Sequence, residues 1–509
     1  MPSLYQTLRQ TEAREPSGTA VVVDGRSLSY RDLLDDVHDV VHFLNDNEVK
    51  PGDRLLITDG ETYPLVKLEI AASYLGLTLI YLEGLTRGSR WELGSIATDA
   101  QADWTVGTGK TGVGVEGRGL RYDGAVQTMR NRPLPGEARL ADTILVQCYT
   151  SGTTGTPKGV CLSERGLLAQ GRQVASAMRL HGAARILLDA SIIDMVGQLL
   201  MLAGIHAGSA LIVDAGAHTE VMSLAERHGA THLMLPPYCL AQALRDPDLA
   251  RRNLASLELI AYGCAPMDRH LLEQAQSRLD CLWLQGYGLT ETTGPFCWLH
   301  HEEHDAGKGT VGRPAGGVRL EVRDTRGKPV PAGTIGEVWV DSPGNMAGYW
   351  DAASASPRSK GKIEAGWLKT GDAGFMNSQG FLTLKGRLDD VVLLGEGFTV
   401  YPKELEDVLC AVPGIIELAV AGADDPQGDG QVPVVFFRTE DNTDDTLAAL
   451  RARIGEALSP IKHPKYLVPA QQAFTRGKNG KVIKQTLLDT LDEARLIPVF
   501  HHDLQGAQP

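Results

Sequence analysis

The sequence predicts an α/β protein, in which a large N-terminal domain with parallel β-sheets covered by helices and a small β unit precedes a smaller α+β C-terminal domain. Three observations predict this class. The chain has 509 residues, too many for one hydrophobic core. Between residues 209 and 285, short apolar runs alternate with amphipathic stretches, as strands and covering helices do around a parallel sheet. A second compositional unit begins after Arg387.

The first part of the chain supplies several elements of this fold. Apolar runs predict strands at 19–23 and 55–58, and the amphipathic stretch 31–44 predicts a helix. Two glycine patterns, GTGKT at 107–111 and GVGVEG at 112–117, resemble nucleotide loops. We predict turns at both, because such a loop needs a strand before it and a helix after it.

The alternating region predicts the parallel sheet most directly. Strands are predicted at 210–213, 232–235, 257–261 and 281–284, and helices at 219–227, 238–245 and 267–278. Ligands of parallel sheets bind at the carboxyl ends of the strands. The segment Gly286–Gly294 (GYGLTETTG) directly follows the last of these strands, so it is predicted to lie at such an end.

The remaining chain predicts a small unit and a second domain. Residues 310–385 are predicted to form a small antiparallel unit with Gly and Pro turns. We place the domain boundary at 388–390, between a first domain of residues 1–387 and a second of residues 391–509. The predicted elements of the second domain are helices at 402–411, 446–458 and 482–494 and strands at 418–421 and 432–437.

Composition excludes several classes of function. The net charge of −14 argues against nucleic acid or an anionic membrane as the main partner, because both attract basic surfaces. The seven cysteines are scattered without a CxxC pair, which favours reduced thiols over disulfides or a zinc site. The first residues show no secretory pattern, and no apolar run is long enough to span a membrane. We therefore expect a cytoplasmic protein.

The segment Tyr149–Val160 (YTSGTTGTPKGV) is the strongest candidate for ligand binding. It follows Thr143–Cys148, an apolar run that predicts a buried strand. Its glycines allow close backbone approach, and its hydroxyls, N–H groups and Lys158 can bind phosphate oxygens. It is not a Walker P-loop, because no glycine stands five residues before a Gly-Lys-Ser/Thr unit. The alternative is a flexible surface loop.

This segment and four later ones, taken in order, resemble the adenylate-forming enzymes. That superfamily includes acyl- and aryl-CoA synthetases, peptide-synthetase adenylation domains, luciferases and stand-alone amide bond synthetases. The resemblance extends from about residue 20 to residue 490. The other segments that carry it are Gly286–Gly294, Lys369–Asp372 (KTGD), Gly386–Asp389 (GRLD) and Gly480–Lys481 within TRGKNGKVIKQTL.

The resemblance implies that the first two segments bind Mg²⁺ and ATP. Glu291 would be the magnesium ligand, Thr290 would contact the α-phosphate, and Tyr287 would pack beside adenine. A Mg²⁺ ion held by one or two carboxylates and substrate phosphates is common in nucleotide enzymes. A capped helix start is the alternative for this motif. The residues expected to grip the triphosphate are Thr150, Ser151, Gly152, Thr153, Thr154, Gly155 and Lys158.

The later segments imply ribose contacts, a hinge and a catalytic lysine. Asp372 would bind both ribose hydroxyls, and Arg387 would reach ribose or phosphate. Asp389 matches the hinge residue about which the C-terminal domain of the family rotates, so this domain is expected to be mobile. Lys481 would bridge the carboxylate and the α-phosphate as pyrophosphate leaves. Lys478 and Lys484 are neighbouring rivals, but only Lys481 has the Gly-Lys-Val register.

The implied reaction has two steps. A carboxylic acid and ATP give acyl-AMP and pyrophosphate, and an acceptor then displaces AMP. The implied partners are therefore a small carboxylic acid and either an amine or CoA, and we expect a monomer or a homodimer. A carrier-protein acceptor is less favoured, because no carrier domain is attached.

The sequence departs from the family in the string Ile193–Gly197. Many members have an aromatic-His-x-x-Gly element here, and Asp194 stands where His is expected. A carboxylate beside acyl-AMP could attract an ammonium group and accept its proton, which an amine needs more than a CoA thiol does. Alternatively, Asp194 is a tolerated polar replacement at the rim of a pocket.

A second departure concerns the CoA side of the reaction. Leu393–Pro402 carries about one residue more than the matching family segment, which borders the pantetheine channel of CoA ligases. Beyond Arg387 there are 11 Lys and Arg against 19 Asp and Glu, a net charge of −8. An acidic surface attracts anionic CoA poorly.

The acid pocket is expected to be small and apolar, which favours an aryl or medium-sized apolar acid. The preferred reading is amide formation. An acyl- or aryl-CoA ligase and a non-catalytic nucleotide-binding relative are the alternatives. The residues expected to line the pocket are Asp194, Met195, Tyr262, Gly263, Cys264, Ala265, Gly286 and Gly288.

Overall fold

The computed structural model divides the chain into two compact units. The large unit comprises Met1–Glu321, Trp339–Thr370 and Gly380–Leu382, and the small unit comprises Val322–Val338, Gly371–Gln379 and Thr383–Pro509. The domain boundary at 388–390 stays a prediction. The structure describes residues 2–82, 90–107, 118–122, 132–136, 143–150, 157–188, 191–213, 220–394, 399–426, 430–440, 443–476, 482–492 and 495–500.

Helices occur in both units. Those of the large unit are α1 (Leu4–Arg14), α2 (Tyr30–Asp46), α3 (Thr62–Leu75), α4 (Arg90–Asp99), α5 (Glu164–Ala177), α6 (Met195–Ala207), α7 (Val221–His228), α8 (Pro237–Ala243) and α9 (Arg269–Arg278). Those of the small unit are α10 (Pro402–Leu409), α11 (Thr443–Ala457) and α12 (Lys484–Leu488). Among the described residues, no helix combines the length and apolar content that crossing a membrane requires.

Most strands before residue 320 belong to two large sheets. They are β1 (Thr19–Val23), β2 (Arg26–Ser29), β3 (Arg54–Asp59), β4 (Thr78–Leu82), β5 (Trp104–Gly107), β6 (Arg118–Arg121), β7 (Ile144–Thr150), β8 (Lys158–Ser163), β9 (Arg185–Leu187), β10 (Ala210–Ile212), β11 (His232–Met234), β12 (Leu259–Tyr262), β13 (Leu282–Leu289), β14 (Gly294–Leu299), β15 (Arg313–Pro314) and β16 (Arg319–Arg323).

The later strands complete one of these sheets and build smaller ones. They are β17 (Gly336–Asp341), β18 (Gly348–Asp351), β19 (Ser356–Arg358), β20 (Ile363–Glu364), β21 (Trp367–Met376), β22 (Leu382–Arg387), β23 (Val392–Leu393), β24 (Thr399–Val400), β25 (Ile415–Asp424), β26 (Gln431–Thr439), β27 (Tyr466–Pro469) and β28 (Ile497–Pro498).

The two large sheets confirm the predicted fold class. Within the described residues, one sheet has the order β15-β14-β13-β12-β11-β9-β10-β1-β2, and the other has the order β19-β18-β8-β7-β4-β3-β5-β6. In the first sheet, β1, β10, β9, β11 and β12 are neighbours in this order, and each pairs in parallel with the next. In the second sheet, the same holds for β7, β4, β3, β5 and β6. The smaller sheets have the orders β16-β17-β21-β20 with β22 on β21, β23-β24, and β25-β26-β27-β28.

Local chemistry explains where two elements begin and end. Helix α2 starts at Tyr30, one residue before the predicted start, because Ser29 forms a capping box: its Oγ accepts from the N–H of Asp32, whose carboxylate accepts from the N–H of Ser29. The helix predicted over 482–494 is shorter, spanning Lys484–Leu488. Both the N–H and the hydroxyl of Thr490 bind the carbonyl of Leu487, which ends the helix in a turn.

One difference from prediction bears on the ligand site. The strand predicted at 281–284 is longer, because β13 continues to Leu289 by pairing antiparallel with β14. The first residues of the GYGLTETTG segment are therefore strand rather than loop. The other predicted strands of this sheet lie within two residues of the observed ones.

Candidate active site

The glycine-rich segment connects two paired strands. Thr150 is the last residue of β7, Lys158 is the first of β8, and the two are opposite each other in the antiparallel pair. A Cβ on Gly159 would come within 2.5 Å of Nε2 of the buried Gln147, so a larger residue there would have to displace the Gln147 amide. Residues 151–156, which include the predicted phosphate ligands Ser151, Gly152, Thr153, Thr154 and Gly155, lie outside the described residues, and their role stays a prediction.

The predicted lysine and the predicted carboxylate meet at one tyrosine. Lys158 is exposed, and its Nζ lies 5.7 Å from the centroid of the Tyr349 ring. The Tyr349 hydroxyl donates a 2.8 Å hydrogen bond to Oε1 of Glu291. The large unit thus brings together two groups that the sequence assigns to the phosphates and to Mg²⁺.

Glu291 is presented by a tight turn between β13 and β14. Thr290–Thr292 forms a single 3₁₀ turn, which Thr293 ends in the left-handed conformation at φ 52°. The Thr293 hydroxyl donates to the carbonyl of Gly344, and the N–H of Met346 donates to the carbonyl of Glu291 at 2.8 Å. These bonds hold the turn at the strand end, where Thr290 and Glu291 are half-buried.

Glu291 suits the way Mg²⁺ binds in nucleotide enzymes. Within the described part of the chain, no group of three or more His, Cys, Asp or Glu could form a metal cage. Mg²⁺ usually takes one or two carboxylates and completes its octahedron with phosphates and water. One carboxylate beside the phosphate segment is therefore the expected donor set for a metal that arrives with the nucleotide.

The glycines of this segment bring its backbone close to neighbouring groups. A Cβ on Gly288 would lie 2.0 Å from the carbonyl oxygen of Gly294, and one on Gly286 would lie 2.8 Å from the Trp298 ring. Tyr287, between them, packs edge-on against Phe296, with ring centroids 4.9 Å apart. Tyr287 is half-buried, and its contact with adenine stays a prediction.

Two predicted pocket segments adjoin at the ends of parallel strands. Strands β12 and β13 pair in parallel through Tyr262 and Gln285. A Cβ on Gly263 would lie 2.5 Å from the carbonyl oxygen of Gly286, so these two glycines are in close contact. Cys264 follows in the left-handed conformation, φ 67°, with its side chain exposed. Ala265 is half-buried beside it.

The Tyr262 side chain lies in the core of the large unit. It is almost fully buried in the cluster that contains Trp283, and its hydroxyl is 3.0 Å from Nε2 of His304. Nδ1 of His304 lies 2.9 Å from the carbonyl of His300, so Nδ1 donates and Nε2 accepts from Tyr262. Burial lowers the pKa of His304, which fits this neutral tautomer. The placement of Tyr262 in the acid pocket stays a prediction.

Asp194 stands directly before α6. Its carbonyl accepts from the N–H of Gln198, and its side chain makes no capping bond to the helix. The neighbouring Met195 lies against Gly294, since a Cβ there would be 4.0 Å from Cγ of Met195. Asp194 and Met195 are thus at the end of the sheet that holds the Glu291 turn.

A buried network anchors this end of α6. Nε2 of Gln198 donates to Oε1 of Glu69 at 2.6 Å, and the Tyr81 hydroxyl donates to Oε2 at 2.9 Å. All three side chains are fully buried, and burial raises the pKa of Glu69 to about 7. The Glu69 carboxylate, held by Tyr81, thus fixes the Gln198 side chain one turn after Asp194.

The small unit brings together the predicted ribose ligands and the hinge. Nη1 of Arg387 lies 3.2 Å from Oδ1 of Asp372, which is mostly buried, and Nη2 lies 3.9 Å from Asp389. Asp389 is in a 3₁₀ turn, Leu388–Asp390. Lys481 lies outside the described residues. The rival Lys484 is paired with Glu406, with 3.1 Å between Nζ and Oε1.

Sequence reasoning missed Tyr349. This residue reaches the site because β18 pairs with β8, Tyr349 facing Val160 across almost 190 residues of chain. A single sequence carries no local signal for such a pairing. Its neighbour Gly348, at φ 146°, lies so close to the backbone of Arg358 that a Cβ would clash at 2.8 Å.

Comparison with known proteins matches both parts of the chain. Residues 8–350 match the family model of the AMP-binding enzymes, and residues 404–481 match that of the AMP-binding enzyme C-terminal domain. A fatty acid–[acyl-carrier-protein] ligase, ScoC of Streptomyces coeruleorubidus, is 27% identical over 98% of both chains.

Two solved structures extend the comparison. The amide bond synthetase McbA of Marinactinospora thermotolerans has 25% identity and a TM-score of 0.82, over 96% of this chain and 99% of that one. The o-succinylbenzoate CoA synthetase MenE of Bacillus subtilis, in complex with ATP and magnesium, has 22% identity and a TM-score of 0.83, over 96% and 100%. The chain belongs to the AMP-binding enzyme family and is an ATP-dependent, AMP-forming ligase.

Proposed function

We propose that the protein activates an aryl or apolar carboxylic acid as its acyl-adenylate and transfers the acyl group to an amine. The observation that carries the amide product is the carboxylate of Asp194, half-buried at the start of α6 and beside the strand end that holds Glu291. The neighbour McbA, named as an amide bond synthetase, supports the same product.

In the first step, the chain supplies charge and orientation. Lys158 and the backbone of the adjoining glycine-rich segment bind phosphate oxygens, Asp372 and Arg387 hold the ribose, and Lys481 stabilises the negative charge that develops as the acid oxygen attacks the α-phosphorus. Mg²⁺ on Glu291 would neutralise phosphate charge as pyrophosphate leaves.

In the second step, Asp194 acts as a general base. An alkyl ammonium has a pKa of about 10 and holds its proton at pH 7, so it cannot attack. The Asp194 carboxylate attracts the ammonium and accepts one proton. The neutral nitrogen then attacks the acyl carbon and the bond to the AMP oxygen breaks. The nitrogen loses its second proton to water as AMP leaves and the amide forms.

The backbone around the pocket favours a flat, apolar acid. Gly263 and Gly286 have no side chains, and their backbones are in contact at the ends of β12 and β13. Met195 adds a flexible apolar side chain at the end of α6. A flat ring can lie against backbone that carries no side chain.

The test is a product assay on the purified chain. It is incubated with ATP, Mg²⁺ and a panel of aryl and apolar acids, and then with alkyl amines or CoA. Pyrophosphate exchange measures adenylation, and product masses identify the acceptor. We expect exchange with at least one aryl acid and an amide mass with an amine. Thioester masses without amide would overturn the proposed acceptor, and no exchange with any acid would overturn the reaction.

The Asp194→Asn variant tests the base. We expect adenylation, read as pyrophosphate exchange, to stay near the wild-type rate while amide formation at pH 7 falls about 10²-fold, at the lower end of what general bases contribute. The difference in amide formation between Asp194→Asn and the wild type should shrink as the pH approaches the pKa of the amine, because more of the amine is then neutral without a base.

The matched control is Asp268→Asn. Asp268 also stands directly before a helix, α9, but its carboxylate caps that helix by accepting from the N–H of Leu271 at 2.9 Å. This control should leave amide formation unchanged. An equal loss in both variants, or none in Asp194→Asn, would show that Asp194 is only a polar residue at the rim of the pocket.

CoA is the second candidate acceptor. It is favoured by relatives that are named as CoA ligases. The relative ScoC is named as an acyl-carrier-protein ligase instead. CoA as the acceptor is opposed by the net charge of −8 beyond Arg387. The mass readout separates the two products directly.

A further inference from the structure

We infer that Tyr349 is a positioning residue, which fixes the Glu291 carboxylate for Mg²⁺ and holds Lys158 apart from it. The inference rests on the proposed role of Glu291 as the magnesium ligand. Tyr349 lies outside every motif that indicated the site.

The hydroxyl of Tyr349 binds one carboxylate oxygen of Glu291. The hydrogen bond to Oε1 is 2.8 Å long, and Tyr349 is only 5% exposed. A hydrogen bond shielded from water is electrostatically stronger than one in solvent. Because one carboxylate oxygen is held, rotation of the carboxylate is restricted and Oε2 is the oxygen left to bind a cation.

The main chain around Tyr349 makes this contact rigid. Residue 349 is hydrogen-bonded into a sheet on both sides, opposite Val160 in β8 and opposite Arg358 in β19. Three residues earlier, the N–H of Met346 binds the carbonyl of Glu291 at 2.8 Å. One short segment therefore holds Glu291 by both its main chain and its side chain.

The aromatic ring of Tyr349 contacts Lys158. Nζ of Lys158 is 5.7 Å from the ring centroid, within the range of a cation–π contact. Among the residues that the structure describes, Lys158 and Glu291 form no ion pair. The hydroxyl holds the anion and the ring holds the cation, so both charges stay available to a metal–phosphate complex.

This arrangement predicts a defect in metal use rather than in folding. The Tyr349→Phe variant keeps the ring for Lys158 and removes only the hydroxyl. Loss of a group that orients a metal ligand typically weakens metal affinity 10- to 100-fold, so we expect half-maximal exchange at about 10-fold higher Mg²⁺, with the rate at saturating Mg²⁺ nearly unchanged.

A binding readout that needs no reaction accompanies this assay. We expect the gain in melting temperature on adding ATP with Mg²⁺ to be smaller in Tyr349→Phe than in the wild type. The gain with ATP in EDTA should be equal in both. Because no acid is present, this result is independent of the proposed reaction: an inactive enzyme would refute that reaction without touching this inference.

Tyr63 provides a matched control. Its hydroxyl donates to Oδ2 of Asp36 at 2.6 Å, and Nζ of Lys67 lies 4.5 Å over its ring. It thus has the same two kinds of partner as Tyr349, a carboxylate and a lysine, between helices α2 and α3. The Tyr63→Phe variant should keep the wild-type Mg²⁺ dependence. A shift of equal size in both variants would make the effect structural and overturn the inference.

A double-mutant cycle connects the effect to Glu291. If Tyr349 acts through that carboxylate, Tyr349→Phe should change nothing further in a Glu291→Gln background. Additive losses of Mg²⁺ affinity would overturn the inference, as would an unchanged Mg²⁺ dependence of the single Tyr349→Phe variant.

Discussion

Replacing Glu291 with glutamine is expected to lower acid-dependent pyrophosphate exchange by about 10²- to 10³-fold, the loss seen when one charge-stabilising group is removed from an active site. Glutamine keeps the size of the side chain and an oxygen that can accept from Tyr349. It removes the negative charge that Mg²⁺ requires of its protein ligand. The protein should therefore fold normally and bind ATP in EDTA as the wild type does.

The dependence of the rate on Mg²⁺ distinguishes the loss of a metal ligand from a general loss of activity. Excess Mg²⁺ should restore part of the rate, because the phosphates of ATP still supply most of the ligands. The control is Glu302→Gln. Glu302 lies in a 3₁₀ turn of the same unit, and its carboxylate is paired with Arg179 at the surface. A normal rate in Glu291→Gln would exclude the carboxylate as the metal ligand.

The fold was predictable because most of its signals are local. A buried parallel strand is a short apolar run, and β1, β3 and β10 to β12 appear within two residues of such runs. Strand β13 is the exception, since its second half, Gln285–Leu289, contains two glycines and has no apolar pattern. It becomes a strand only because β14 folds back beside it after the Thr290–Thr292 turn, a pairing that no apolar pattern signals.

The family resemblance assigns Lys158, Glu291, Asp372 and Arg387 to the site, and their roles stay predictions. It does not indicate which residues hold these side chains in place. The partner that Lys158 and Glu291 share, Tyr349, comes from a separate strand. Likewise, nothing in the run LELIAYG shows that the side chain of Tyr262 turns into the core to meet His304.

Replacing Lys481 with alanine is expected to abolish adenylation while sparing the second step. A mobile cation that neutralises charge only as the acid attacks phosphorus contributes to the transition state and little to ATP binding. We expect pyrophosphate exchange to fall about 10²- to 10³-fold with little change in the KM for ATP. Supplied with preformed acyl-adenylate, the variant should still form the amide at close to the wild-type rate.

Lys484→Ala is the control because that lysine lies three residues away and already has a partner. Its ammonium is paired with Glu406 at 3.1 Å and is half-buried, so its charge is used within the small unit. We expect Lys484→Ala to keep adenylation and to lose a small amount of stability. If Lys484→Ala abolished exchange and Lys481→Ala did not, the Gly-Lys-Val register would have identified the wrong lysine. If Lys481→Ala lost both steps equally, the lysine would act in folding or in substrate binding, and the charge-neutralising role would fail.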